Sequence, residues 1–133
     1  MIPGRRRYAS GTPWEPKVGY SRAVKVGRRI YVSGTTATAP DGSIVGRGDA
    51  YAQTVQTLDN IDRALVALGS RTADIVRLRL FVTDLDDFPP IAKALAERFL
   101  PIRPACTLVK VAGLIDPVMK VEIEADAELP ARR

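Results

Sequence analysis

The stretch RPACTLVKVAGLIDPVMKVEIEADA, residues 103–127, decides the fold of this chain. It predicts two strands joined by a turn that contains Gly, Asp and Pro. In its last part, apolar and acidic residues alternate from Val121 to Asp126. A period of two places the acids on one face of a sheet and the apolar residues on the other. The sheet is therefore expected to carry a row of carboxylates, whose partners must come from elsewhere in the chain.

Length and composition favour one globular domain. The chain has 133 residues, and we expect an irregular leader over residues 1–17, a single domain over 18–129 and a tail over 130–133. No run approaches the roughly 18 apolar residues that a membrane span needs. The single cysteine cannot form an internal disulfide. These features predict a cytoplasmic protein without a membrane partner.

The charge and the missing histidines exclude several functions. Five terminal arginines (Arg5, Arg6, Arg7, Arg132 and Arg133) equal the whole formal net charge of +5. The body of the domain is then near neutral, which argues against specific nucleic-acid binding. With no histidine, histidine-based nucleophile activation and the common zinc sites are excluded. We expect no metal, and any catalysis must use carboxylate, hydroxyl, backbone, arginine or thiol groups.

The elements follow from hydrophobic periodicity. Residues 20–26 and 29–34 predict a β-hairpin, and the apolar spacing over 49–68 predicts a helix capped by Asp49 and stopped by Gly69. Residues 74–83 alternate as a strand, and a second helix follows and ends at Pro101. The order hairpin, helix, strand, helix and two strands predicts an α/β (α+β) fold, a mixed sheet with two helices on one face.

Parity then divides the sheet residues between its two faces. The face under the helices is expected to hold Ile30, Val32, Val76, Leu78, Leu80, Val121 and Ile123. The uncovered face is expected to hold Tyr31, Ser33, Arg77, Arg79, Glu122, Glu124 and Asp126, with Cys106, Leu108 and Lys110 beside them. A naked sheet face is unusual, so we expect subunits to pack these faces together.

Four segments resemble the RidA (YjgF-type) family of reactive-intermediate deaminases. They are GYSRAVKVGRRIYVSGTT, TLDNIDRALVALG, DIVRLRLFVTDLDDF and RPACTLVKVAGL followed by VEIEADA, and together they span about residues 19–128. The resemblance implies a chorismate-mutase-like subunit that forms a homotrimer with clefts between subunits. It further implies hydrolysis of small imines and enamines without a cofactor. Some members of the family carry the label endoribonuclease or translation inhibitor.

The resemblance also assigns roles to individual residues. Tyr20 matches the family's cleft tyrosine, Ser33 and Gly34 match its Ser-Gly pair, and Glu122 matches the glutamate that positions water. The active deaminases read PARS where this chain reads PACT. The resemblance therefore implies that Cys106 stands in place of the arginine that binds the substrate carboxylate, with Thr107 next to it, and that the chain resembles a divergent member.

Another cation is needed if the ligand is anionic. The candidates are Arg22, Arg79 and Arg103, and we favour Arg79 because parity places it on the face of Ser33 and Glu122. Ion pairing of Arg79 with the row of acids is the structural alternative. Trp14 is expected to pack onto the domain or to line a ligand pocket.

Three functions therefore remain open from the sequence. They are an imine or enamine hydrolase, a ligand-binding trimer that has lost the chemistry, and an endoribonuclease. The absence of histidine argues against the last of these.

Overall fold

A computed structural model describes residues 2–132 as one six-stranded sheet with helices against it. Met1 of the predicted leader and Arg133 of the predicted tail lie outside the described residues. The elements in chain order are β1 (Arg5–Tyr8), α1 (Trp14–Val18), β2 (Ala23–Val26), β3 (Arg29–Thr35), α2 (Ala50–Ala67), β4 (Ile75–Val82), α3 (Phe88–Phe99), β5 (Ala105–Lys110) and β6 (Val121–Glu128). The strands lie in the order β1-β2-β3-β6-β4-β5.

The sheet is mixed because β4 and β5 run parallel, whereas the other neighbouring strands are antiparallel. A parallel connection needs a crossover, and α3 provides it between β4 and β5. The predicted class, a mixed α+β sheet with two main helices on one face, is confirmed. Among residues 2–132, no helix combines the length and the apolar character needed to cross a bilayer.

The core lies between the sheet and the two long helices. Leu58, Ile61 and Leu65 of α2 pack with Ile91 of α3 and with the buried strand residues in one cluster. Asp49 caps α2 as predicted, because its carboxylate accepts a hydrogen bond from the Ala52 N–H at 3.0 Å. Gly69 follows the helix with a φ of 84°, the left-handed conformation that suits glycine.

The prediction of an irregular leader is wrong. Residues 5–8 form β1, which extends the sheet by pairing with β2, and residues 14–18 form the short helix α1. The run Arg5–Arg7 contains no alternation of apolar and polar residues, so the sequence pattern did not predict an edge strand there. The leader is part of the folded domain.

Val76 does not lie on the face that parity predicted. A register shift between Ile75 and Arg77 marks a β-bulge opposite β6. Ile75 is consequently buried while Val76 is exposed. An extra residue in a strand inverts the side-chain alternation on one side of it. The other six residues predicted for the covered face are buried, namely Ile30, Val32, Leu78, Leu80, Val121 and Ile123.

The predicted facing of β5 is wrong. Pairing aligns Cys106 with Leu78, Leu108 with Leu80 and Lys110 with Val82, all on the helix side of the sheet. Leu108 packs against the hydrophobic core, as that register requires. The open face of β5 instead carries Thr107, which lies beside Arg79, and Val109, which lies beside Phe81.

The two strands of residues 103–127 do not pair with each other. Strand β4 lies between β5 and β6, so the segment after Lys110 crosses over β4 instead of forming a tight hairpin. The alternation of apolar and polar residues could not reveal this arrangement. It predicts which face of the sheet each side chain lies on, but it does not predict which strands are neighbours.

Candidate functional site

A cavity of about 490 Å³ lies beside the end of β3. The cavity is lined by residues of the leader, of the segment after β3, of helix α2 and of the loop before β6. The residues that line the cavity include Tyr8, Trp14, Val18, Tyr20, Arg22, Gly34, Thr36, Thr38, Asn60, Arg63, Ile115, Met119 and Glu122. This volume falls in the range of small-molecule sites.

Glu122 and Gly34 are in close contact at the floor of the cavity. The two strands β3 and β6 are neighbours, and the register of β3 shifts between Val32 and Thr35. A Cβ added at Gly34 would lie 2.7 Å from Glu122 Oε2. Glycine is therefore needed here because the carboxylate occupies the space that a side chain would fill. Any larger residue would displace the Glu122 carboxylate.

The environment of Glu122 favours its protonated form. Burial raises the pKa of this carboxyl above its ordinary value, the Arg22 charge acts in the opposite direction, and Glu124 raises it further. Among residues 2–132, no group donates a hydrogen bond to the Glu122 carboxylate. A raised pKa makes this carboxyl a better proton donor and acceptor pair for acid–base chemistry than an ordinary exposed glutamate.

Arg22 forms a buried ion pair with Glu15. The Arg22 side chain is buried, and its Nε lies 3.4 Å from Glu15 Oε2. The guanidinium also donates to the Gly34 carbonyl, to Thr35 Oγ1 at 3.2 Å and to the Tyr20 hydroxyl at 3.3 Å. These bonds attach the leader to the end of β3 and fix Arg22 beneath the cavity.

Glu15 is held as a carboxylate. Burial alone would raise its pKa, but hydrogen bonds from the Ser10 hydroxyl and N–H and from the Thr12 hydroxyl, together with the Arg22 charge, lower the pKa below its ordinary value. The Thr12 hydroxyl donates to Glu15 Oε2 at 2.9 Å. Glu15 thus offsets the positive charge of Arg22.

The structure brings three of the predicted site residues to the cavity: Tyr20, Gly34 and Glu122. The Tyr20 hydroxyl accepts from Arg22, and the Arg22 guanidinium lies 5.6 Å from the centre of the Tyr20 ring. Ser33 is next to Gly34, but its hydroxyl donates to the Ser21 carbonyl at 2.7 Å. The Ser33 hydroxyl therefore already donates its proton within the protein and does not offer it to a ligand.

Arg79 lies outside the cavity. Its guanidinium is 3.3 Å from Asp126 and 3.7 Å from Glu124, which is the ion-pair alternative. Strand pairing places Phe81, not an arginine, opposite Glu122. Arg103 is exposed at the end of α3, where its Nε donates to the Leu100 carbonyl at 3.0 Å. Of the three candidate arginines, Arg22 is the one that lines the cavity.

Cys106 and Thr107 lie on the edge strand β5, away from the cavity. Three strand spacings of about 4.8 Å separate β5 from β3, roughly 14 Å in all. Partial desolvation raises the pKa of the Cys106 thiol, which opposes formation of the nucleophilic thiolate. Within one chain, Cys106 and Thr107 cannot touch a ligand held against Gly34.

Sequence reasoning missed two groups of lining residues. Asn60 and Arg63 lie one turn apart on α2, where helical periodicity identified only the buried face. Ile115 and Met119 come from the loop before β6, which carries no periodic signal. Of the two alternatives for Trp14, packing onto the domain or lining a ligand pocket, the second agrees better with its position, since Trp14 lines the cavity and is 44% exposed.

Comparison with known proteins agrees with this fold. The family model of endoribonuclease L-PSP matches residues 11–129. The 3-aminoacrylate deaminase RutC of Acinetobacter baylyi is 35% identical over 119 residues, 90% of this chain and 93% of that protein.

Two solved structures are also similar to the chain. Rv2704 of Mycobacterium tuberculosis, of the YjgF/YER057c/UK114 family, is 41% identical with a TM-score of 0.84, covering 94% of this chain and 99% of that one. E. coli TdcF is 29% identical with a TM-score of 0.78, covering 94% of each chain.

The single mixed sheet, its two main helices and these structural neighbours define an α+β protein with the YjgF-type fold. The chain belongs to the endoribonuclease L-PSP family, which is the YjgF/RidA family that the sequence motifs indicated.

Proposed function

We propose that the protein hydrolyses small imines or enamines and releases ammonia, with Glu122 as the catalytic residue. The observation that carries the proposal is the Glu122 carboxyl, whose pKa is raised and which lies against Gly34 in the cavity. The 3-aminoacrylate deaminase RutC, a relative of 35% identity, performs chemistry of this class. Neither histidine nor a metal is needed for this reaction.

The reaction follows from the two protonation states of one carboxyl. For an enamine, protonated Glu122 gives its proton to carbon and produces an iminium ion. Water then adds to the C=N carbon while the Glu122 carboxylate accepts a proton from it. That proton passes to nitrogen and the C–N bond breaks. The hydroxyl group of the intermediate gives its proton to the Glu122 carboxylate as the carbonyl forms, so ammonia leaves and protonated Glu122 is restored. Tyr20 is placed to hydrogen-bond the substrate, since its hydroxyl accepts from Arg22 and keeps its own proton.

We further propose that three copies of the chain close the site. The open sheet face carries exposed apolar groups together with the ion pairs of Arg79. A neighbouring copy is the only route by which Cys106 and Thr107 of β5 could approach the cavity, given their distance from β3. The site would then lie between subunits, and the predicted cytoplasmic location is kept as part of this proposal.

The test is ammonia release from 2-aminoacrylate generated in situ. Glu122→Gln keeps the shape and removes the proton exchange, so the acceleration over the spontaneous reaction is expected to fall by about 100-fold or more. Glu128→Gln is the matched control, because Glu128 lies on the same strand but pairs with Arg28 and does not line the cavity. Equal rates for the wild type and Glu122→Gln would refute the role of Glu122.

A second function is favoured by Cys106, which replaces the carboxylate-binding arginine of the active deaminases. The protein would then be a ligand-binding trimer without chemistry. The E. coli relative TdcF has been solved with bound serine, so a member of this fold holds a small amino acid. Activity that appears only in Cys106→Arg would favour this function, whereas activity in the unmodified protein would exclude it.

A further inference from the structure

The cavity contains two arginines with different surroundings. Arg22 is buried, and Glu15 offsets its charge at 3.4 Å. Its N–H groups are also bonded to Gly34, Thr35 and Tyr20. A guanidinium has five N–H donors, and those of Arg22 are largely used within the fold. Arg22 is therefore a structural and electrostatic group beneath the cavity, with little capacity left for a ligand.

Arg63 has the opposite character. It lies on α2, is exposed and lines the cavity. Among residues 2–132, no carboxylate lies within ion-pairing distance of Arg63, and no acceptor takes a hydrogen bond from it. A planar guanidinium of this kind is suited to a bidentate contact with a carboxylate.

Asn60 holds this part of α2 in place. Its Nδ2 donates to the carbonyl oxygens of Thr36 at 3.0 Å and Thr38 at 2.9 Å. Residues three apart lie on the same face of a helix, so Arg63 is adjacent to Asn60 on the side that meets the cavity. The backbone of Arg63 is thus fixed relative to the segment that follows β3, while its side chain stays available.

The balance of charge in the cavity favours an anion. The Glu15 carboxylate compensates Arg22, and burial keeps Glu122 closer to neutrality than an exposed glutamate would be. The charge that remains without a partner is that of Arg63. Trp14, Val18 and Ile115 supply exposed apolar surface in the same cavity for the rest of a ligand.

We propose that Arg63 is the anion-binding residue of this cavity and supplies from α2 the cation that Cys106 cannot provide. The ligand class is then a small 2-imino or 2-oxo acid whose carboxylate pairs with Arg63. This assignment rests on the proposed function for its substrate class, and the binding of the anion can be measured without turnover.

The experiment uses Trp14 as its probe, because it is the only tryptophan of the chain and lines the cavity. Quenching of its fluorescence is titrated with 4-methyl-2-oxopentanoate, in which a carbonyl oxygen replaces the imine nitrogen, and with the neutral ketone 4-methylpentan-2-one. Arg63→Met is expected to raise the Kd of the oxo acid by about 10- to 100-fold, because the carboxylate loses a charged hydrogen-bonding partner. The Kd of the neutral ketone is expected to stay unchanged.

Two further variants complete the comparison. Arg63→Lys keeps the charge without the planar fork, so an intermediate Kd is expected. Arg71→Met is the matched control, since Arg71 is an exposed arginine beyond the end of α2 and does not line the cavity. Both positions, Arg63 and Arg71, are exposed, and substitutions there are expected to leave folding intact.

The outcomes separate the two proposals. An Arg63→Met protein that binds the oxo acid within about two-fold of the wild type overturns the inference, as does an equal loss in Arg71→Met or no binding by the wild type. Ammonia release decides the hydrolysis separately. If the wild-type protein binds the oxo acid through Arg63 but releases no ammonia, the proposed hydrolysis is refuted. The assignment of Arg63 as the anion-binding residue then still holds.

Discussion

At the scale of single residues, the central feature is a carboxyl pressed against a glycine. Glu122 and Gly34 come from different strands, and their contact depends on the shifted register of β3. The Arg22 charge lowers the pKa of Glu122, against the effect of burial, which raises it. The same three positions therefore determine both the geometry and the protonation of the site.

The raised pKa of Glu122 has a consequence for stability. The folded protein holds this proton more tightly than the unfolded chain does, so stability falls as pH rises from below 4.5 through the folded pKa. Glu122→Gln lacks this titration. We therefore compare the free energies of unfolding of the variant and the wild type. The difference, Glu122→Gln minus wild type, is expected to be more positive at pH 7 than at pH 4. Urea unfolding at fixed protein concentration measures it.

The control for this measurement is Glu128→Gln, in which a carboxylate of the same strand is neutralised outside the cavity. This variant loses one exposed ion pair with Arg28 and keeps Glu122, so its stability is expected to change by less than about 1 kcal/mol, without the rise between pH 4 and pH 7 expected of Glu122→Gln. Parallel stability profiles for the wild type and Glu122→Gln would show that the two states bind this proton equally.

At the scale of elements, the leader is attached by the pairing of β1 with β2 and by one buried ion pair. Arg22 precedes β2, Glu15 belongs to α1, and both are nearly inaccessible, at 8% and 3% exposure. Removing one partner leaves an uncompensated charge inside the protein. The ion pair therefore helps to hold α1 against the domain, together with the strand pairing of β1.

Replacing Arg22 with methionine is expected to cost about 3 kcal/mol of stability, because Glu15 is left buried without its cation. Arg28→Met is the matched comparison. The Arg28 and Glu128 side chains have the same 3.4 Å separation but are exposed, so its expected loss is below about 1 kcal/mol. Urea midpoints at one protein concentration measure both. Similar losses in the two variants would contradict the role given to burial.

Much of the fold was predictable because α2 and the long strands carry strong periodic signals. Asp49 and Gly69 marked the limits of α2, and six of seven residues predicted for the covered face are buried. The failures have local causes. The bulge at Ile75–Arg77 inverted the parity of Val76, and edge strand β5 is too exposed for its pattern to reveal its inner face.

The site was only partly predictable for a related reason. Tyr20, Gly34 and Glu122 came from the family motifs, and all three line the cavity. Arg63 could not be found from periodicity, because an exposed arginine on the polar side of an amphipathic helix looks like any solvated charge. Only the position of that turn of α2 beside the end of β3 distinguishes Arg63 from the other arginines.

At the scale of the whole molecule, the sheet has one face covered by helices and one open. The open face carries apolar side chains such as Tyr31 and Val109 beside the charges of Arg79, Glu124 and Asp126. Exposed apolar surface rimmed by charge is typical of a protein–protein interface. Packing of copies on this face would bury those charges as pairs, which is the tolerated arrangement.

The proposed trimer predicts a light-scattering mass about three times the 14.5 kDa of the chain. Val109→Asp places an unpaired carboxylate on the open face and is expected to reduce the mass to that of one chain. Val66→Asp is the matched control, because Val66 is 59% exposed on α2, on the other side of the sheet. A wild-type mass of a single chain at all concentrations would contradict the trimer.

The arginine run of β1 bears on what happens at the sheet's free border. Arg5, Arg6 and Arg7 are exposed along an outermost strand whose second side has no neighbour among residues 2–132. An unpaired strand border is a template for fibril growth, and a dense row of like charges repels an incoming strand. The basic run is therefore expected to oppose the addition of a further strand, and with it aggregation, at this border of the sheet.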